Sequence, residues 1–133
     1  MAGTQKGSRG KGKRVEKNAC TALNEYLCGC NARRGAQHRG GPDSPDIVTE
    51  IAGLHWEVKG GQVTPDLYGA LNQAARESSA YDVPVALLKR DREAFVVCCY
   101  VHDLREVVEA LASWIAGQVD REDKLTGPDR REI

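Results

Sequence analysis

Ser44-Pro45-Asp46-Ile47-Val48-Thr49-Glu50-Ile51-Ala52-Gly53-Leu54-His55-Trp56-Glu57-Val58-Lys59 reads as two short strands joined by a turn at Ala52-Gly53. The second strand alternates: Leu54, Trp56 and Val58 point one way, and His55, Glu57 and Lys59 the other. Asp46 stands where the first apolar run begins, directly after a proline. Pairing the strands as a hairpin lets Asp46, Glu57 and Lys59 meet near one end of a sheet. Two carboxylates beside an ammonium group make an awkward structural feature but a useful chemical one. The acids can bind Mg²⁺, the metal polarises a phosphate, and the lysine holds or activates a water. Asp43 also follows a proline. Asp46 is preferred because a strand starts beside it, and a strand fixes geometry better than a loop.

Outward from this stretch, the elements follow from periodicity. Residues 1–12 carry no apolar side chain after Ala2 and are expected to form a disordered basic arm. Gly7 to Lys13 superficially copies a phosphate-binding loop, but Arg14 replaces the required Ser or Thr and no strand precedes it. From Arg14 to Leu27, Val15, Ala19, Leu23, Tyr26 and Leu27 form a helical stripe, with Glu16 at its edge. Cys30 to Gln37 is expected as the first strand, in which Arg33 and Arg34 face opposite ways. After the hairpin, Thr64-Pro65-Asp66 signals a helix start. The stripe Leu67, Leu71, Ala74, Ala75 and Ser78 follows, with Gln73 beside it. Val83 to Lys89 reads as a strand, parallel to the Leu54–Lys59 strand because a helical crossover joins them. Ala94 to Val101 is a nearly continuous apolar strand. A last helix carries Leu104, Val107, Val108, Leu111 and Ile115, with Trp114 off the seam. Residues 119–133 are expected to be a charged, flexible tail, leaving one domain over 13–118.

The chain has 133 residues and a formal net charge of zero. Residues 1–39 nevertheless hold nine Lys/Arg against Glu16 and Glu25, an excess of seven. This suits a polyanionic partner, although a solubilising tail would carry the same charge. The longest apolar run, Ala94 to Val101, is too short to span a membrane. The basic N-terminus leads into polar sequence, so no secretory signal is expected. The five cysteines are expected as reduced thiols in a cytosolic setting. Cys28, Cys30 and His38 lack the spacing of an ordinary zinc site. His55 shares the face of Glu57 and could contact DNA or a metal-bound water.

Pro45-Asp46 followed by Glu57-Val58-Lys59, with Glu16 in a preceding helix and Arg33-Arg34 between, resembles the PD-(D/E)xK nucleases. Within them the order is similar to that of archaeal and phage Holliday-junction resolvases, over roughly residues 13–100. The resemblance implies an α/β, restriction-endonuclease-like αβββαβ core: a mixed central sheet flanked by helices, here with an extra C-terminal helix. It implies a Mg²⁺-dependent DNA endonuclease, with Mn²⁺ as a substitute, acting on branched DNA and leaving a 5′-phosphate. Asp46, Glu57, Glu16 and the Val58 carbonyl would hold the metal, and Lys59 would position the attacking water. Lys13, Arg14, Arg33, Arg34, Arg39 and Gln73 would contact DNA or support the site. Symmetric cutting implies a homodimer in a bacterial or phage-infected cytosol. Two features depart from the pattern: Ser44 is out of its usual place, and Glu77 stands where some branches have tyrosine. Alternatives are a phage or restriction-type nuclease on flap, single-stranded or duplex DNA, and a non-enzymatic DNA-binding protein with a vestigial acidic cluster.

Overall fold

The computed structural model describes residues 2–35 and 45–132. Its elements are α1 (Ala2–Tyr26), β1 (Arg33–Arg34), β2 (Ile47–Val48), β3 (Leu54–Gly61), α2 (Leu67–Glu77), β4 (Val83–Arg90), β5 (Val96–Cys98) and α3 (Leu104–Glu132), the last entered through a 3₁₀ turn at Val101–Asp103. The strands form one five-stranded mixed sheet in the order β1-β2-β3-β4-β5. β3 and β4 are parallel neighbours, and every other pairing is antiparallel. The protein is therefore α/β, a mixed sheet flanked by three helices.

The alternation of β3 decides which helix covers which face. Leu54, Trp56 and Val58 join Ile47, Val85 and Leu87 on the face packed by Ala19, Cys20 and Leu23 of α1 and Val107 of α3. The opposite face carries Ala86 and Leu88, covered by Ala70, Leu71 and Ala74 of α2. The alanines let α2 approach closely, and burying Leu71 contributes roughly 1.5–3 kcal/mol. His55, Glu57 and Lys59 share this α2 face, so a short helix roofs the charged side of β3.

Several elements differ from the sequence reading. α1 extends back to Ala2, across the segment read as a disordered arm. Once Val15, Ala19 and Leu23 anchor its core, each added residue gains a helical hydrogen bond without a new nucleation cost. The same reasoning applies at the other end: α3 continues through the supposed tail to Glu132. β1 shrinks to Arg33–Arg34, limited by its two-residue partner β2, and β5 shrinks to Val96–Cys98 at the other edge of the sheet. α2 begins two residues late, at Leu67 with Asp66 as N-cap, and neither Leu67 nor Ala75 lies in its buried stripe. On α3 the seam rotates. Val107, Ala110, Leu111 and Trp114 pack toward the core, while Leu104, Val108 and Ile115 are exposed. All five cysteines are free thiols. Among the described residues no helix is long and apolar enough to cross a membrane.

Candidate metal centre

Asp46 is held by the backbone on both sides. Its N–H donates to the Trp56 carbonyl at 3.0 Å, and its carbonyl accepts from the Gly35 N–H at 2.9 Å. Its Oδ2 accepts the Val58 N–H at 2.8 Å, in place of the next rung of the ladder. Gly35 makes this possible: a Cβ there would lie 2.2 Å from the Pro45 carbonyl oxygen. Ile47 pairs with Trp56, and Asp46, one residue before it, turns to the other face, where its carboxyl interacts with that of Glu57.

Glu57 is only 1% exposed. Its Oε1 lies 3.5 Å from Lys59 Nζ, while its Oε2 is buried with no hydrogen-bond partner. Burial is the largest cause pushing the Glu57 carboxyl up, to about 8; repulsion from Asp46 and a hydrogen bond with it come next. Lys59 pulls the other way, and Glu77 adds a further push upward. A carboxyl buried beside a second acid keeps its proton, because burial and the neighbouring acid both disfavour its charged form. A divalent cation can take that proton's place, and deprotonation then accompanies metal binding.

The roof adds a carboxylate able to serve as a ligand, which the sequence reading did not assign. His55, Glu57 and Glu77 each offer a ligand atom, all within 4.8 Å of one another. Glu77 Oε1 accepts a hydrogen bond from Gln73 Nε2 at 3.3 Å. Gln73 thus acts as a support for Glu77, one helical turn away. The signal lay in that four-residue spacing, which puts Glu77 on Gln73's side of the helix. His55, expected on an exposed strand face, is 2% exposed because α2 covers it.

The other named residues are distributed as follows. Val58 enters the site through its N–H, bonded to Asp46. Glu16 on α1 forms an ion pair with Arg34 Nε at 2.8 Å and does not figure among the charges acting on Glu57. Arg34 pairs across the sheet with core-facing Ile47, so it lies on the α1 face. Arg33 therefore shares the face of Asp46, but its guanidinium reaches the Asn31 carbonyl at 3.0 Å and lies 3.9 Å from Glu50. Lys13 and Arg14 are exposed on α1. His38, Arg39, Asp43 and Ser44 lie outside the described residues.

The donor set fits a divalent cation. An orphaned carboxylate oxygen buried among two further acids and an imidazole costs several kcal/mol as plain structure. Oxygen-rich sites suit Mg²⁺ and Mn²⁺, and the imidazole shifts the balance toward Mn²⁺ or Zn²⁺. If Glu77 is a ligand, Glu77→Gln weakens Mn²⁺ binding by about ten- to a hundredfold, whereas a Glu77 that merely sits nearby leaves the calorimetric titration unchanged.

Comparison with known proteins places no neighbour beside this site: no family model, curated protein or solved structure matches the chain.

Proposed function

We propose that the protein is a metal-dependent endonuclease of the PD-(D/E)xK type, hydrolysing phosphodiesters of branched DNA as Holliday-junction resolvases do. The observation that carries this reading is the meeting of the Asp46 and Glu57 carboxyl groups on one sheet face, with Lys59 3.5 Å from Glu57. The chain order α-β-β-β-α-β, followed by a further strand and helix, is the order the restriction-endonuclease-like reading calls for.

Asp46, Glu57 and Glu77, with His55, would hold the cation. A bound divalent ion supplies Lewis-acid stabilisation of negative charge on the phosphate, worth several kcal/mol. Lys59, 41% exposed at its side chain, keeps its ammonium group at the mouth of the site. There it orients a water for in-line attack and offsets charge on the non-bridging oxygens. Asp46 fixes the strand geometry through Val58, and Gln73 steadies Glu77. Glu16 braces Arg34, and through it the following Gly35, whose N–H bonds the Asp46 carbonyl.

Symmetric cleavage of a junction calls for two copies. The outer side of α3, with Leu104, Val108, Ile115 and Val119 exposed, supports a homodimer through that helix. Light scattering that finds only monomer at working concentration removes the resolvase version and leaves a nicking enzyme.

The decisive assay offers labelled four-way junction, flap, single-stranded and linear duplex DNA with Mg²⁺ or Mn²⁺. Cleavage of the junction in preference to the duplex is the expected result. Retention of DNA without cleavage in either metal favours a non-enzymatic binding protein, and the absence of both ends the nucleic-acid reading.

A further inference from the structure

A second site lies where β3 and β4 end. Because the strands are parallel, with Gly60 opposite Lys89 and Gly61 opposite Arg90 as the last pairs, both chains leave the sheet together. The carboxyl ends of parallel strands are a common place for ligands. Here they open into a cavity of about 440 Å³, lined by Arg14, Asn18, Gly60, Lys89, Asp91 and Arg92.

Four features make it a built cup. Arg14 and Asn18 are one helical turn apart and share a side of α1. A Cβ on Gly60 would lie 2.9 Å from Val15 Cγ1, so only glycine lets α1 settle on the strand end and bring Arg14 over it. Leu87 faces the α1 core and Leu88 the α2 core, so alternation turns Lys89 toward α1. Arg92 has φ 69°, a left-handed backbone rarely adopted by a residue with a side chain. Such strain gathers where a side chain must be aimed. Neighbouring Arg90 is engaged with Glu93 at 3.2 Å. The cup itself holds three cations and one carboxylate, a surplus of two positive charges.

We propose that this cup binds a backbone phosphate of the nucleic acid, next to the phosphate presented to Asp46, Glu57 and Lys59. Guanidinium groups match phosphate oxygens in pairs, and two of them with an ammonium group balance a phosphodiester and draw in its neighbours. Lys59 and Gly60 are consecutive, about 3.8 Å apart along the chain. They stand on opposite faces, so a polymer leaving the metal centre rounds the sheet end into the cup. The identity of the polymer rests on the nuclease reading; the charge of the ligand does not.

The test uses the full chain and its Arg14→Gln/Arg92→Gln variant, both positions being exposed, with Lys89→Gln as a second variant. Thermal melting first checks that each is folded. Binding of a labelled junction is measured in Ca²⁺ between 50 and 200 mM salt. Loss of a phosphate contact weakens binding roughly five- to tenfold and flattens the log–log salt slope by about one. In Mg²⁺, KM rises and kcat at saturation stays within about twofold of wild type. Unchanged affinity and slope overturn the cup, even if cleavage is robust. A flattened slope with no cleavage by any form keeps the cup and removes the nuclease. Inorganic phosphate provides the other arm: if it raises the melting temperature of wild type only, while DNA binding is equal in both, the cup takes a small anion and the polymer assignment falls.

Discussion

On the proposed nuclease reading, Glu57→Gln is expected to abolish Mg²⁺-dependent cleavage, lowering kcat by at least about a thousandfold, while the variant stays folded. Metal stabilisation of the phosphate is worth several kcal/mol, and each 1.4 kcal/mol is about a factor of ten. The variant should fold because the environment already favours a neutral group: burial and Asp46 hold the Glu57 carboxyl protonated up to about pH 8. Glutamine has the same shape and no charge. Asp46→Asn is expected to behave alike in activity, and its amide oxygen can take over the bond that Oδ2 accepts from the Val58 N–H. Single-turnover cleavage of a labelled junction, with circular dichroism on the same samples, reads both effects. Cleavage that survives both substitutions moves the chemistry elsewhere in the molecule.

The second large effect is on stability, read without metal. The Glu57 carboxyl has a folded pKa of about 8 against an ordinary 4.5, so between those values the folded state holds a proton that the unfolded chain has released. Stability is therefore greatest near pH 5 and falls as pH rises toward 8, by up to about 1.4 kcal/mol per pH unit across that window. A total loss of a few kcal/mol, or about 10 °C in melting temperature, is expected in EDTA. Cys20, Cys30 and Cys98 are pushed upward from 9.0, mainly by burial, so they titrate above the window. Saturating Mn²⁺ at pH 8 should return about 2.7 kcal/mol at a hundred times its Kd, and the gain should shrink toward pH 5 as protons compete. Glu57→Gln flattens the slope and removes the metal effect. A wild-type melting temperature that is flat from pH 5 to 8 in EDTA would contradict a Glu57 carboxyl held protonated by its surroundings.

Both effects trace to a short run of residues, and the sequence made part of the arrangement legible. The alternation from Leu54 to Lys59 is strict because one face of β3 packs into the apolar core under α1 while the other carries the polar groups under α2. That period put Glu57 and Lys59 together with no knowledge of the fold. The turn at Gly53 and the proline before Asp46 set the hairpin, and the crossover between β3 and β4 made those strands parallel. These are local properties, written in periods of two and 3.6 residues and in turn chemistry.

What stayed hidden depends on how elements meet. Glu16 sits beside the helical stripe and could have faced either the acids or β1; the ion pair with Arg34 is set by how α1 lies across the sheet. His55 alternates with apolar neighbours like any solvent-facing strand residue, and only the roof of α2 makes it buried. Glu77 joins the site for the same reason, since a helix period states which residues share a side but not what lies beneath them. Trp114 moved from the outer side of α3 to the packed side because the helix rotated to seat Val107 and Leu111. The sequence by itself determined the strands, the crossover and the pairing of two acids with a lysine, because strand period and turn residues act within a few positions of one another. Tertiary structure alone decided that a helix closes over those acids and raises the pKa of one, because burial belongs to the packing of distant segments and has no period in the chain.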